Sequence, residues 1–133
     1  MSAMGLKIYA GRTFHIRKSS ASKPHLWIAT TEPDGTPEQV VIVNLTSRHA
    51  NSDTTVILNN TDHRFIKHET VVYYADALFA KVAAIQDAIK NGVSSFDDDC
   101  SDALLERIQL GLLESPFTPN KIKDYCKECF RNF

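Results

Sequence analysis

An excess of charge of either sign is missing from this chain of 133 residues, in which 15 lysines and arginines stand against 16 aspartates and glutamates. A partner drawn in by net charge alone is therefore excluded, and a nucleic acid must be held by a local basic patch if it is held at all. Cysteine is scarce, with three in all and two of them close together near the C-terminus. An odd, small number fits reduced thiols better than a disulfide framework. No apolar run approaches the roughly 18 residues of a membrane span, and Met1 to Lys7 has no hydrophobic signal region. A cytoplasmic protein without a membrane partner is expected. Also lacking are a Gly-rich phosphate loop, a Gly-x-Ser-x-Gly elbow, a His-Glu-x-x-His pair and internal repeats, which sets aside the enzyme classes built on them.

What remains is an ordinary globular composition, 43% hydrophobic, with a length that suits one domain. The stretch Glu38 to Ser47 (EQVVIVNLTS) holds the longest β-branched run, Val40 to Val43, and ends on the hydrogen-bonding side chains Asn44, Thr46 and Ser47. Such a run reads as a central strand covered on both faces, with a polar end at the rim of the sheet. Arg12 to Arg17 alternates, predicting a half-buried strand with Thr13, His15 and Arg17 on one side and Phe14 and Ile16 on the other. Lys18 to Pro24 is a polar surface loop. His25 to Thr31 is a second strand, joined through the turn Glu32 to Pro37 to the central one. Counting outward from that turn places His25 near Leu45, Thr46 and Ser47. Thr54 to Leu58 and Glu69 to Tyr74 give two more strands, and Phe65 and Ile66 between them are expected to tuck inward.

Five short strands with short connections predict a small antiparallel barrel or sharply coiled sheet over about residues 8–77. Helical periodicity then predicts three helices over about 76–133: Asp76 to Asn91, Ser101 to Glu114, and Lys121 to Phe133 with Thr118 as its N-cap. The fold class is thus α+β, mainly β, within a single domain. Asp97, Asp98 and Asp99 read as the dipole-favoured start of a helix, since the alternating ligands and glycine of a calcium loop are absent. Cys126 and Cys129 sit one helical turn apart on the expected apolar stripe. Packing is preferred there over zinc or dithiol chemistry, because no matching pair of ligands stands nearby in the sequence. No metal or cofactor is expected.

Chemistry concentrates at the rim: His15, His25, Thr46, Ser47, Arg48 and His63, together with the lysines of the 18–23 loop. Cleaving RNA without a metal requires a base for the 2′-hydroxyl, an acid for the departing 5′-oxygen, and positive charge for the phosphorane. Histidine, a hydroxyl and arginine fill those roles. Each residue alone is equally at home as a structural histidine or a loop cap; their convergence through the hairpin is what raises the catalytic or RNA-binding reading.

The order GRTFHI, loop, PHLWIATT, turn, VVIVNLTS, then TTVILN and IKHETVVYYADA resembles the PemK/MazF toxin superfamily over Gly11 to Ala77. Its members open with a Gly-Asp-Ile-Val-like strand and continue through a loop into an Arg-Pro-hydrophobic strand. A hydrophobic strand ending in Leu-Thr-Ser follows. The resemblance implies an SH3-like barrel, usually a homodimer, acting as a metal-independent endoribonuclease on single-stranded RNA and neutralised by a partner antitoxin. By position, Thr46 and Ser47 match the active-site Thr/Ser, and His25 stands where the family has its catalytic arginine. Arg48 is then expected to supply the fixed charge beside His25, Thr46 and Ser47, with His15, Arg17, Lys18, Lys23 and His63 contacting RNA. The departure at His25 leaves a second reading, a non-catalytic barrel that binds protein or nucleic acid. The helices exceed the decoration expected of the family.

Overall fold

A computed structural model describes residues 3–17 and 23–131; Lys18 of the expected RNA-binding set and Phe133 of the expected third helix lie outside the described residues. After a short 3-10 turn over Ala3–Leu6, the strands are β1 (Thr13–Ile16), β2 (His25–Ala29), β3 (Gln39–Ser47), β4 (Ile57–Leu58), β5 (Thr70–Lys81) and β6 (Ser95–Asp97). The helices are α1 (Val82–Lys90), α2 (Asp102–Glu114) and α3 (Asn120–Cys129). The strands form one antiparallel sheet in the order β4-β5-β3-β2-β1-β6. The result is α+β, a curled half-barrel with its helices mostly C-terminal, as the composition shift predicts.

The β-branched run of β3 explains the layering. Alternate side chains of a strand point to opposite faces, so Val41, Val43 and Leu45 enter one cluster with Leu26, Ile28 and Tyr74, capped by Leu104, Ile108 and Leu112 of α2 and by Ile122 and Cys126 of α3. Val40 and Ile42 enter the other with Phe14, Trp27 and Ala29, capped by Val82, Ile85 and Ile89 of α1. Both faces of β3 are covered. The fit under α2 is close: Tyr74, fully buried, donates its hydroxyl hydrogen to Ile108 O at 2.7 Å, and the Tyr74 hydroxyl and a Val56 methyl occupy the space that a Cβ at Gly111 would need.

Several expectations are corrected. Helix α1 starts at Val82 rather than Asp76, because β5 continues across the expected boundary to pair Leu78, Phe79, Ala80 and Lys81 with Ile42, Val41, Val40 and Gln39. A register irregularity opposite Ile42 to Asn44 lets β5 follow the whole length of β3, and a ladder of that length outweighs the local helical spacing. Leu78, counted on the helix stripe, is 40% exposed. The triple aspartate does not start a helix either. Asp97 belongs to the sixth strand, paired with Thr13 of β1, and it is Ser101 that caps α2, accepting from Leu104 N at 3.1 Å. Thr118 does not cap α3; Pro119 holds the cap position, and the Thr118 hydroxyl donates to Leu112 O at 2.7 Å. Strand β1 is paired along its outer edge by β6, and on the face expected to be open Thr13 is fully buried, His15 half-buried and Arg17, just beyond the strand, exposed.

Between β4 and β5 the segment 59–69 turns inward, and Ile66 is buried in the main cluster with Phe65 packed against it. The same segment spans from the β4 end of the curled sheet to the β6 end. His63 Nε2 donates to Asp98 O at 2.7 Å, and Arg64 Nε donates to Asp97 Oδ1 at 2.6 Å. Side chains and a loop, rather than a strand ladder, therefore join the two edges of the half-barrel.

Candidate functional site

The rim of the site is built by the β2–β3 pairing. Trp27 faces Asn44 and Ile28 faces Val43; carried two residues beyond Trp27, that register sets His25 against Thr46. The expected neighbourhood holds, because His25 Nδ1–H donates to Leu45 O at 3.2 Å. Binding Nδ1 to a carbonyl fixes the neutral ring as the Nδ1–H tautomer and leaves Nε2 as the basic atom.

His25, Thr46 and Ser47 line one cavity of about 430 Å³ with Lys23, Pro24, Leu45, Phe65, Ile66, Lys67, His68 and Thr70. Two residues of this set, Lys67 and His68, were not singled out by the sequence. His68 Nε2 lies 2.7 Å from Ser47 Oγ, and the Thr70 hydroxyl donates to the His68 carbonyl at 2.9 Å, which holds the exposed end of the 59–69 segment beside the strand end. The cavity thus carries two imidazoles, two half-buried hydroxyl residues and two lysines. A signal for His68 existed in the segment IKHETVV, where a histidine directly precedes a strand that pairs with β3. Knowing that Ser47 faces Thr70 would have brought His68 to the rim.

Arg48 stands next door. Its guanidinium is ion-paired with the Glu69 carboxylate, and it lines a more open depression with His49, Ala50, Thr54, His68 and Glu69. The fixed charge expected beside His25 is therefore offset by a carboxylate and displaced from the cavity, and among the described residues Lys23 and Lys67 are the cations that line it.

His15 and His63 are elsewhere and are engaged. His15 Nε2 donates to Asp97 Oδ2 at 2.7 Å, and its ring meets Phe65 edge-on at 5.1 Å. Burial pushes the Asp97 carboxyl up, but Arg64, the Asp98 backbone N–H and His15 outweigh it and hold the group down at about 2. His63 is 7% exposed; Nε2 donates to Asp98 O and Nδ1 accepts from Phe65 N at 3.0 Å. Both of its ring nitrogens are used inside the fold. Arg17 is exposed just beyond β1 and is not among the residues around the cavity.

The two C-terminal thiols have different surroundings. Cys126 is fully buried in the main cluster, and burial pushes its thiol up to about 12; Cys129 is exposed, so the apolar stripe includes the first and not the second. Among the described residues, no group of three or more His, Cys, Asp or Glu side chains is placed to hold a metal ion, and no helix is long and apolar enough to cross a membrane. No protein-family model, curated protein or solved structure matches the chain.

Proposed function

We propose that the chain is a metal-independent endoribonuclease of the PemK/MazF toxin type, cutting single-stranded RNA in the cytoplasm as a homodimer and neutralised by an antitoxin protein. The observation that carries the reading is the gathering of His25, Thr46, Ser47 and His68 with Lys23 and Lys67 around one cavity. Proton carriers, hydroxyls and cations are the set that phosphodiester cleavage by the 2′-hydroxyl requires. A specific observation favours a second reading, a barrel that binds RNA or protein without cutting it. The arginine of the resemblance is histidine here, and the adjacent Arg48 is committed to Glu69.

The test is expression of the chain alone, followed by assay of the purified protein on single-stranded RNA in excess chelator. Growth arrest and chelator-resistant cleavage are expected, and His25→Arg, which exchanges the proton acceptor for a permanently charged group, is expected to bind RNA but lose most of the cleavage. Retained RNA binding with no cleavage by either folded protein would replace the ribonuclease by the binding module.

A further inference from the structure

We infer that His68 is the proton reservoir for the departing 5′-oxygen, acting through the hydroxyl of Ser47; this rests on the ribonuclease reading above. The contact is direct, with Ser47 Oγ 2.7 Å from His68 Nε2. Ser47 belongs to the strand that carries Thr46, and all three residues line the cavity with His25. The two imidazoles are held differently. His25 has its Nδ1–H on the Leu45 carbonyl, which leaves Nε2 to take a proton and stabilises the imidazolium that results. His68 has its Nε2 on a hydroxyl, which passes a proton in either direction.

The step then balances. The 2′-oxygen attacks phosphorus as its proton moves to His25 Nε2, and the 2′-O–P bond forms. The P–O5′ bond breaks, the leaving oxygen takes the Ser47 hydroxyl proton, and Ser47 Oγ is refilled from protonated His68 Nε2. Exchange with water returns both rings to their starting states. His25 is the catalytic base, and Ser47 touches the leaving group; His68 acts through Ser47 and is a positioning and proton-supplying residue. The charged and titratable groups around this pair are Lys23, Lys67 and His25 in the cavity, and Arg48, His49 and Glu69 in the adjoining depression. An acid is needed only because an alkoxide leaves poorly. A leaving group that departs readily as an anion makes the Ser47–His68 pair dispensable.

The experiment uses a short RNA that the parent protein cuts, and the same RNA with sulfur replacing the bridging 5′-oxygen at the scissile link. His68→Gln and Ser47→Ala are each expected to slow cleavage of ordinary RNA by roughly 100- to 10,000-fold, with the double variant no slower than either single one. All three should cut the 5′-thio RNA at about the parent rate, because a thiolate needs no proton to leave. Ser47→Thr, which keeps a hydroxyl, should retain most activity, and the alkaline limb of the parent pH profile should disappear in His68→Gln. His68 is exposed, so its replacement leaves the core untouched. If His68→Gln slows both substrates equally, or slows neither, the inference falls while the ribonuclease reading stands. If the parent cuts neither substrate, both fall.

Discussion

Two pairs of histidines lie at opposite ends of the 59–69 segment's influence, and they have opposite fates. His15 and His63 are absorbed into the seam that joins the edges of the half-barrel: His63 has both ring nitrogens bonded at 2.7 and 3.0 Å, and His15 donates to a carboxylate that Arg64 also holds. His25 and His68 stand at the rim, each with one nitrogen held among the described residues, on a carbonyl or a hydroxyl, beside a cavity that also contains lysines. The same residue type thus serves as mortar in one place and as a reagent in the other. Chemical identity does not decide between these uses. Placement does: His15 and His63 bond across the seam, away from the cavity, whereas His25 and His68 line it, and that placement follows from tertiary packing.

The sharpest way to break the comparison is to exchange the two losses. His25→Gln is expected to cut ribonuclease activity by roughly 100- to 10,000-fold, the usual worth of a positioned acid or base, with stability changed by no more than about 1 kcal/mol because a single hydrogen bond is involved. His63→Leu is expected to do the reverse. It leaves the Phe65 N–H unpaired at the seam and takes one of two donors from the Asp98 carbonyl, which keeps the Thr13 hydroxyl at 2.7 Å, at a cost of about 1–3 kcal/mol, and removes no group from the cavity. Urea unfolding and cleavage rates measured on both variants decide the matter. A His63→Leu protein that keeps its stability and loses activity would mean that the assignments are inverted.

A smaller effect sharpens the seam. Asp97 is held at about 2 in the folded protein against an ordinary value of 3.8, with its side chain only 9% exposed. A depressed carboxyl contributes stability that is fully present above its unfolded value and is lost as pH falls from there through the folded one. Unfolding free energy should therefore decline between about pH 4 and pH 2, and Asp97→Asn should lower stability at neutral pH and flatten that decline. An acid limb of unchanged steepness in the variant would show that other carboxylates carry it.

How much of this was legible depends on the range of the interaction. Strand β3 announces itself through Val40 to Val43, and the turn after β2 brings His25 to Thr46 by local counting, so half of the rim is readable from one hairpin. Helix α2 is likewise readable from its own stripe of Leu104, Ile108 and Leu112. Strand β6 is not, because Ser95–Asp97 has no β-branched residue and becomes a strand only by finding β1 more than 75 residues earlier in the chain. The overlong helix that periodicity predicts from Asp76 fails for a related reason: Leu78 to Lys81 have four partners waiting on β3. His68 escaped notice because its meeting with Ser47 depends on how the 59–69 segment folds back. Arg48 was read as a free cation because its neighbour in space, Glu69, is 21 residues away in the chain.

The smallest expected effect concerns that arginine, and it separates a charge that merely stands near a site from one that serves it. Arg48 and Glu69 are both about half exposed, with side chains 44% and 53% accessible, so their pairing is screened by water and is worth no more than about 1 kcal/mol. Arg48→Ala should leave the unfolding midpoint nearly unchanged. Its effect on cleavage should also be small, because its charge is already offset by Glu69 and the cavity is lined instead by Lys23 and Lys67. Lys67→Ala should weaken RNA binding more than Arg48→Ala does, and the difference should shrink as salt is raised, since a lysine acts on phosphate through screened charge. A loss on the order of 100- to 1,000-fold in the Arg48→Ala protein, the scale at which a charge aimed at the transition state is missed, would instead mean that Arg48 leaves Glu69 when RNA binds and turns into the cavity.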